Sequence, residues 1–160
     1  MLIPVDVTSL AVEPQKSTPL AVLREPGGGR SLAIPLEHAE AGVIAMHWLQ
    51  ERAEKPFTVD LVKIVMEQLG GVLHRVVISD VEDGNSFSAC AAIQAGTAIK
   101  VVDCRPGDAV VLAVRCGAPV FVRETVFSKL NSDSGLSAEE QLRERIRSID
   151  TTEFGRYVLE

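Results

Sequence analysis

Between Asp108 and Arg115 the chain runs six residues, Ala109-Val110-Val111-Leu112-Ala113-Val114, without a polar side chain. Pro106 and Gly117 bracket this run. Proline suits the first position of a helix, where its missing N–H would have no partner, and glycine suits the left-handed residue that closes one. The stretch therefore predicts a helix from about Pro106 to Gly117, with Pro119 preventing its extension. A helix that is apolar all round has to be buried nearly all round. The remaining segments must supply what covers it.

They have the means. At 160 residues the chain is expected to form one main domain and to bury roughly two thirds of its unfolded surface, so it needs no covalent staple. Apolar residues make up 46% and aromatic residues only 4%, which points to a core of Val, Leu, Ile and Ala. Cys90, Cys104 and Cys116 are odd in number and have no Cys-x-x-Cys spacing. They read as small buried hydrophobes in a reducing compartment, with Cys104 the best placed of the three for a reactive thiol. No apolar run reaches the ~20 residues that span a bilayer, and Met1-Leu2-Ile3-Pro4-Val5-Asp6 lacks the basic start of a signal peptide. The expectation is a cytoplasmic protein with no membrane partner. A net charge of −6 argues against a protein that merely coats nucleic acid, although it leaves a nuclease open.

Along the chain, residues 2–12, 19–24 and 31–36 read as strands, and Gly27-Gly28-Gly29 as a hairpin turn rather than a phosphate loop, since no Gly-Lys-Ser/Thr follows. Residues 37–51 predict a helix with Ala41, Ile44, Ala45, Trp48 and Leu49 on its core face. His38 and His47, nine residues apart, fall on opposite faces and cannot share a metal. A second helix is expected to begin at Thr58 as N-cap, to carry Asp60 in its first turn and Leu61, Val62, Val65, Met66 and Leu69 on its buried face, and to end at Gly70-Gly71. A three-stranded meander follows over 72–82, 86–94 and 97–103, turning at Asp83-Gly84 and Ala95-Gly96. After the apolar helix come a short strand at 120–122 and a helical turn over about 123–130. The fold class is thus α+β: a mixed or antiparallel sheet built from the N-terminal strands and the meander, with about four helices. Residues 1–130 are expected to form the domain, and 131–160 a linker and a C-terminal helix whose stripe is Leu142, Ile146 and Ile149.

Four segments, "LREPGGGRSLAIPLEHAEAGVIA", "KPFTVDLVKIVMEQLGG", "RVVISDVEDGNSFSACAAI" and "VDCRPGDAVVLAVRCGAPVFV", occur in an order that resembles the bifunctional nuclease domain family, from about Val5 to Leu130. The resemblance implies an α+β domain that often self-associates and acts on both RNA and DNA. It departs from the family at two positions: Val59 stands where histidine is common, and Gly107 where serine is common.

Cleaving a phosphodiester requires an activated nucleophile and stabilisation of charge on the phosphoryl oxygens, supplied by carboxylate-bound Mg²⁺ or Mn²⁺ or by cationic side chains. Asp103 ends a strand and Asp108 opens the next helix, so both are candidates to face one cleft and to hold a metal, with Arg105 between them to bind phosphate. The resemblance adds Glu40 and Asp60, near the starts of the first two helices. The expected catalytic set is therefore Asp103, Arg105, Asp108, Glu40 and Asp60, with Mg²⁺ or Mn²⁺ as cofactor, RNA or DNA as substrate and a homodimer or other homo-oligomer as the working form. A structural reading stands beside it: Asp108 stabilises a helix N-terminus, and Arg105 pairs with Asp103 or Asp108. Alternative functions are a non-catalytic oligomer that binds a partner or ligand, and a redox-sensing thiol protein that would need an exposed Cys104.

Overall fold

The computed structural model describes residues 1–132, 140, 142–143 and 147–148. Its strands are β1 (Leu2–Glu13), β2 (Thr18–Arg24), β3 (Ser31–Pro35), β4 (Gly71–Glu82), β5 (Ser86–Ala95), β6 (Ala98–Cys104), β7 (Val120–Arg123) and β8 (Arg147–Ser148). Its helices are α1 (His38–Trp48), α2 (Thr58–Gln68), α3 (Pro106–Cys116) and α4 (Glu124–Ser132). The expected α+β class is what the chain adopts.

One mixed sheet runs in the order β3-β2-β1-β7-β4-β5-β6. Every pairing along it is antiparallel except β4 with β7. The long first strand joins two halves: Leu2–Val5 pair with β7, while the stretch from Asp6 to Glu13 pairs with β2 across an irregularity between Val7 and Ser9. The β4-β5-β6 meander forms as its turn signals predict. Asp83 and Gly84 both adopt positive φ, 49° and 67°, and the Asn85 N–H donates to Glu82 O, so the tight turn forms at these two residues within a three-residue connection between the paired Glu82 and Ser86.

The apolar helix α3 is the centre of the fold. Ala109, Val110, Val111 and Ala113 are each no more than 2% exposed. They share one core with Ala41, Ile44 and Ala45 of α1 and with Val76, Ile78, Ala89 and Ala91 of the sheet. At roughly 1.5–3 kcal/mol for each large apolar side chain buried, this contact holds α3 in place. Gly117 closes the helix at φ 64°, a left-handed position that favours glycine.

Two expectations are corrected. The N-cap of α2 is Phe57, one residue before Thr58, and α2 buries none of its residues fully. Leu61, Val62, Val65 and Leu69 are 47–82% exposed. The helix packs instead through Val59, Asp60, Lys63 and Met66, which are half-buried and recur at helical spacing. An ion pair from Asp60 to Arg115 of α3, Oδ1 to Nε at 2.7 Å, fixes that side inward. The second correction concerns the end of the chain. Arg147–Ser148 are not helical but pair with Ala11 and Val12 of β1, while Leu142 is buried against Ala11, Leu20 and Val22. Most of the expected C-terminal helix, including Ile146 and Ile149, lies outside the described residues.

Candidate functional site

Two helix starts converge beside the outer part of the sheet. Glu37 is the N-cap of α1 and Glu40 its third residue, and Arg105 is the N-cap of α3, directly after β6. Helix N-termini favour carboxylates in their first turns, and here Glu40 and Asp108 occupy those turns. Between α1, α2, α3 and strands β5 and β6 opens a cleft of about 610 Å³. Val43, Phe57, Val62, Ile93, Val102 and Leu112 contribute apolar walls, and Glu37, Glu40, Arg105 and Asp108 contribute charge.

Arg105 organises the charged part. Its Nε and Nη2 donate to the two carboxylate oxygens of Asp108 at 2.7 and 3.2 Å, and its Nη1 donates to Glu37 Oε1 at 2.9 Å. Glu40 Oε1 lies 3.9 Å from Nη2. These hydrogen bonds occupy three of the five guanidinium N–H groups, so two remain for another acceptor. The Arg105 side chain is 66% exposed, which leaves those donors accessible. Asp108 and Glu37 also hold Arg105 further toward its charged form.

Glu40 is the unusual carboxyl. Its side chain is 14% exposed, and Oε2 accepts a hydrogen bond from the Glu37 backbone N–H at 2.8 Å. Burial pushes its pKa up to about 7, and a hydrogen bond with Asp108 and repulsion from the Asp108 and Glu37 charges work in the same direction; the Glu37 N–H opposes them. Asp108 moves the other way, chiefly because Arg105 hydrogen-bonds to its ionised form. Two neighbouring carboxyls thus divide into one that exchanges a proton near neutrality and one that stays ionised.

The remaining sequence-predicted residues are placed apart from this pair. Val102 and Cys104 line the cleft, whereas Asp103 between them does not. Alternation along β6 sends Asp103 to the opposite face of the sheet, so it does not share a cleft with Asp108. Asp60 accepts from Arg115 and, through Oδ2 at 3.1 Å, from the Phe57 N–H, which ties it to the α2–α3 contact. Cys104 is half-buried and its thiol is pushed up to about 11, mainly by burial, which suppresses the thiolate a redox sensor needs. Glu37 and the apolar walls were not foreseen as site components. The Glu37-x-x-Glu40 spacing, with the second carboxylate reaching back to the helix start, is the signal that marks Glu37.

Val59 and Gly107, the two positions that the resemblance singles out, both fall at this site. Val59 lines the cleft. Gly107 lies under Glu40: a β-carbon there would stand 2.5 Å from Glu40 Oε2. Among the described residues, no three His, Cys, Asp or Glu side chains are grouped to hold a metal ion. Glu37, Glu40 and Asp108 instead surround a guanidinium, an arrangement that does not fit a divalent cation as it stands. None of the helices in the described residues is long and apolar enough to cross a membrane.

Comparison with known proteins agrees with the resemblance in the sequence. The family model described as the bifunctional nuclease domain matches residues 21–134, from β2 through α4. An uncharacterized protein of Mycobacterium tuberculosis, represented in two strains, is 29% identical over 154 residues, which cover 96% of this chain and 92% of the relative.

Proposed function

This chain belongs to the bifunctional nuclease domain family, and from that premise we propose that it cleaves nucleic-acid phosphodiesters at the charged mouth of the cleft, with Glu40 as general base and Arg105 as phosphate ligand. The observation that carries this reading is the placement of Glu40, a carboxyl titrating near 7, beside an arginine with two uncommitted donors. A base is most effective when its pKa is near the working pH, and positioned proton transfer contributes roughly 10²–10⁴-fold.

On RNA the Glu40 carboxylate takes the proton of the 2′-hydroxyl, and the freed oxygen attacks phosphorus. The O2′–P bond forms and the P–O5′ bond breaks, giving a 2′,3′-cyclic phosphate and a 5′-oxygen that is protonated by water. Arg105 stabilises the charge that builds on the non-bridging oxygens. On DNA, water replaces the 2′-hydroxyl as nucleophile. Asp108 orients the guanidinium through its paired hydrogen bonds. No step runs through Mg²⁺ or Mn²⁺, because the carboxylates that would coordinate either ion are engaged with Arg105.

The test is cleavage of single-stranded RNA and DNA, with and without EDTA, by wild type and Glu40→Gln. The expected result is RNA cleavage that survives EDTA and falls roughly 10²–10⁴-fold in the variant. Cleavage abolished by EDTA and restored by Mn²⁺ returns the reaction to a metal. Undiminished cleavage by Glu40→Gln removes this residue from the chemistry.

A second reading, a non-catalytic ligand-binding module, is favoured by one specific observation: apolar Val59 lines the cleft, and Gly107, beneath Glu40, brings it no polar side chain. Protein free of trace nuclease that cuts neither substrate with any of several divalent metals would establish that reading over the first. Either function is proposed for a homo-oligomer in the cytoplasm, a setting that suits three free cysteines.

A further inference from the structure

The sheet has a second face, turned away from α1, α2 and α3. Residues directly opposite in an antiparallel ladder share a face, so the pairings Val72↔Gln94↔Ile99, Arg75↔Ala92↔Val101 and Val77↔Cys90↔Asp103 define three rows across β4, β5 and β6 on that side. Ala91, Ile93, Val102 and Cys104, at the alternate positions, line the cleft on the other side. The outer rows are largely apolar: Val72 is 62% exposed, Ile99 51% and Val101 64%. Val77 and Ala92, although buried, belong neither to the core around α3 nor to the group that Leu142 forms with Ala11, Leu20 and Val22.

Two charges interrupt this apolar face, Arg75 on β4 and Asp103 on β6. Among the described residues neither makes a hydrogen bond or ion pair within the protomer. Their signs are opposite, and they sit two strands apart, roughly 10 Å across the sheet at about 4.8 Å per strand. Between them lie only Ala92 and Cys90 of β5, both small.

We propose that this outer face is a docking surface for a second copy of the chain, with Arg75 of each protomer paired to Asp103 of the other. In a two-fold contact residue i meets residue j and j meets i, so one unpaired cation and one unpaired anion on a single face generate two equivalent ion pairs. A two-fold axis lying between the sheets and midway between Arg75 and Asp103 passes over β5 near Cys90 and Ala92. Small side chains at that centre allow the sheets to approach to the ~10 Å of face-to-face packing, while Val72, Ile99 and Val101 lose their contact with water. This assigns Asp103 a role that neither capping nor the cleft requires. It also places self-association on the face of the meander rather than along the β6 edge. The surface lies opposite the cleft, so the dimer leaves the cleft open.

The test is the solution mass of the full chain by light scattering at micromolar concentration, for wild type, Arg75→Glu, Asp103→Arg and the double reversal. Wild type is expected at twice the 17.2 kDa chain mass. Each single reversal should weaken association at least tenfold, and the double reversal should restore it. Far-UV circular dichroism checks that each variant is folded. A short thiol-to-thiol bismaleimide, which needs no variant in the charge pair and spans the ~10 Å between facing sheets that a disulfide cannot, should cross-link wild type into a dimer, and the product should disappear in Cys90→Ser. A monomeric wild type overturns the proposal, as does a dimer indifferent to both reversals, a double reversal no better than the singles, or a cross-link that persists without Cys90.

Discussion

Glu40 Oε2 approaches the α-carbon side of Gly107 so closely that a β-carbon on that residue would stand 2.5 Å away. The first turn of α1 and the first turn of α3 are therefore fitted to each other through a carboxyl resting against a glycine. Because the obstacle is the far end of a flexible side chain, a residue at this position displaces Glu40 rather than the backbone.

Gly107→Ala tests that relationship. Losing the bond from the Glu37 N–H to Glu40 costs about 1 kcal/mol, and replacing glycine with alanine in a helix returns about 0.5–1 kcal/mol. The two nearly cancel, so the melting temperature should stay within about 3 °C of wild type. The proton affinity of Glu40 should not stay the same. Burial is the main cause of its high pKa, so moving the carboxyl outward should lower the pKa, and the pH midpoint of cleavage should fall. A midpoint unchanged from wild type would separate Glu40 from Gly107.

Glu40 should also shape the dependence of stability on pH. Its folded pKa, about 7, lies above the ordinary carboxyl value of 4.5, so its proton favours the folded chain. That contribution is present below 4.5 and is lost as the pH rises through 7. Glu40→Gln keeps an oxygen to accept the Glu37 N–H and cannot ionise. Wild type should therefore lose several degrees of melting temperature relative to Glu40→Gln between pH 4.5 and 8. Asp108 acts in a different window: its pKa is lowered from 3.8, so its contribution is present above that value and lost as the pH falls below it. Parallel melting curves for wild type and variant across pH 4.5–8 would show that the high pKa of Glu40 is not a property of the folded protein.

Arg105→Lys keeps the charge but removes the fork that meets both oxygens of Asp108 and reaches Glu37 at once. An exposed ion pair contributes little to stability, typically 0–1 kcal/mol, so the melting temperature should change by no more than a few degrees. Cleavage, if it depends on a planar phosphate ligand held in one orientation, should fall by at least tenfold. Equal activity in Arg105→Lys would reduce Arg105 to a positive charge.

The fold was legible wherever local chemistry and burial agreed. Pro106, six apolar residues and Gly117 define α3 at both ends, and Asp83-Gly84 defines the β4–β5 turn, because each of those residues acts through its own backbone. The packing side of α2 was not legible. Its apolar stripe of Leu61, Val62, Val65 and Leu69 has the spacing of a core face, but Asp60 is drawn to Arg115, 55 residues away, and turns the stripe outward. Long-range pairs of this kind leave no local trace. The same holds for the site: Arg105 and Asp108 are neighbours in sequence, but their meeting with Glu37 and Glu40 depends on how α1 crosses α3. Asp103 shows the opposite effect: its nearness in sequence to Arg105 suggests a shared cleft, but strand alternation sends it to the other face.

The outward stripe of α2 yields the last expectation, because it separates apolar residues that hold the fold from those that do not. Leu69 is 82% exposed and Val110 is fully buried at the centre of the core. Leu69→Lys removes almost no apolar area from the interior and should alter stability by less than about 0.5 kcal/mol. Val110→Ala deletes two buried methyl groups, worth about 0.8 kcal/mol each, and leaves a cavity in a closely packed core, for a total of about 2 kcal/mol. In a chain of this length that difference amounts to roughly 4–8 °C, readily measured by thermal unfolding. A loss from Leu69→Lys as large as that from Val110→Ala would mean that α2 is covered in solution, and that its apolar stripe is an interface as well.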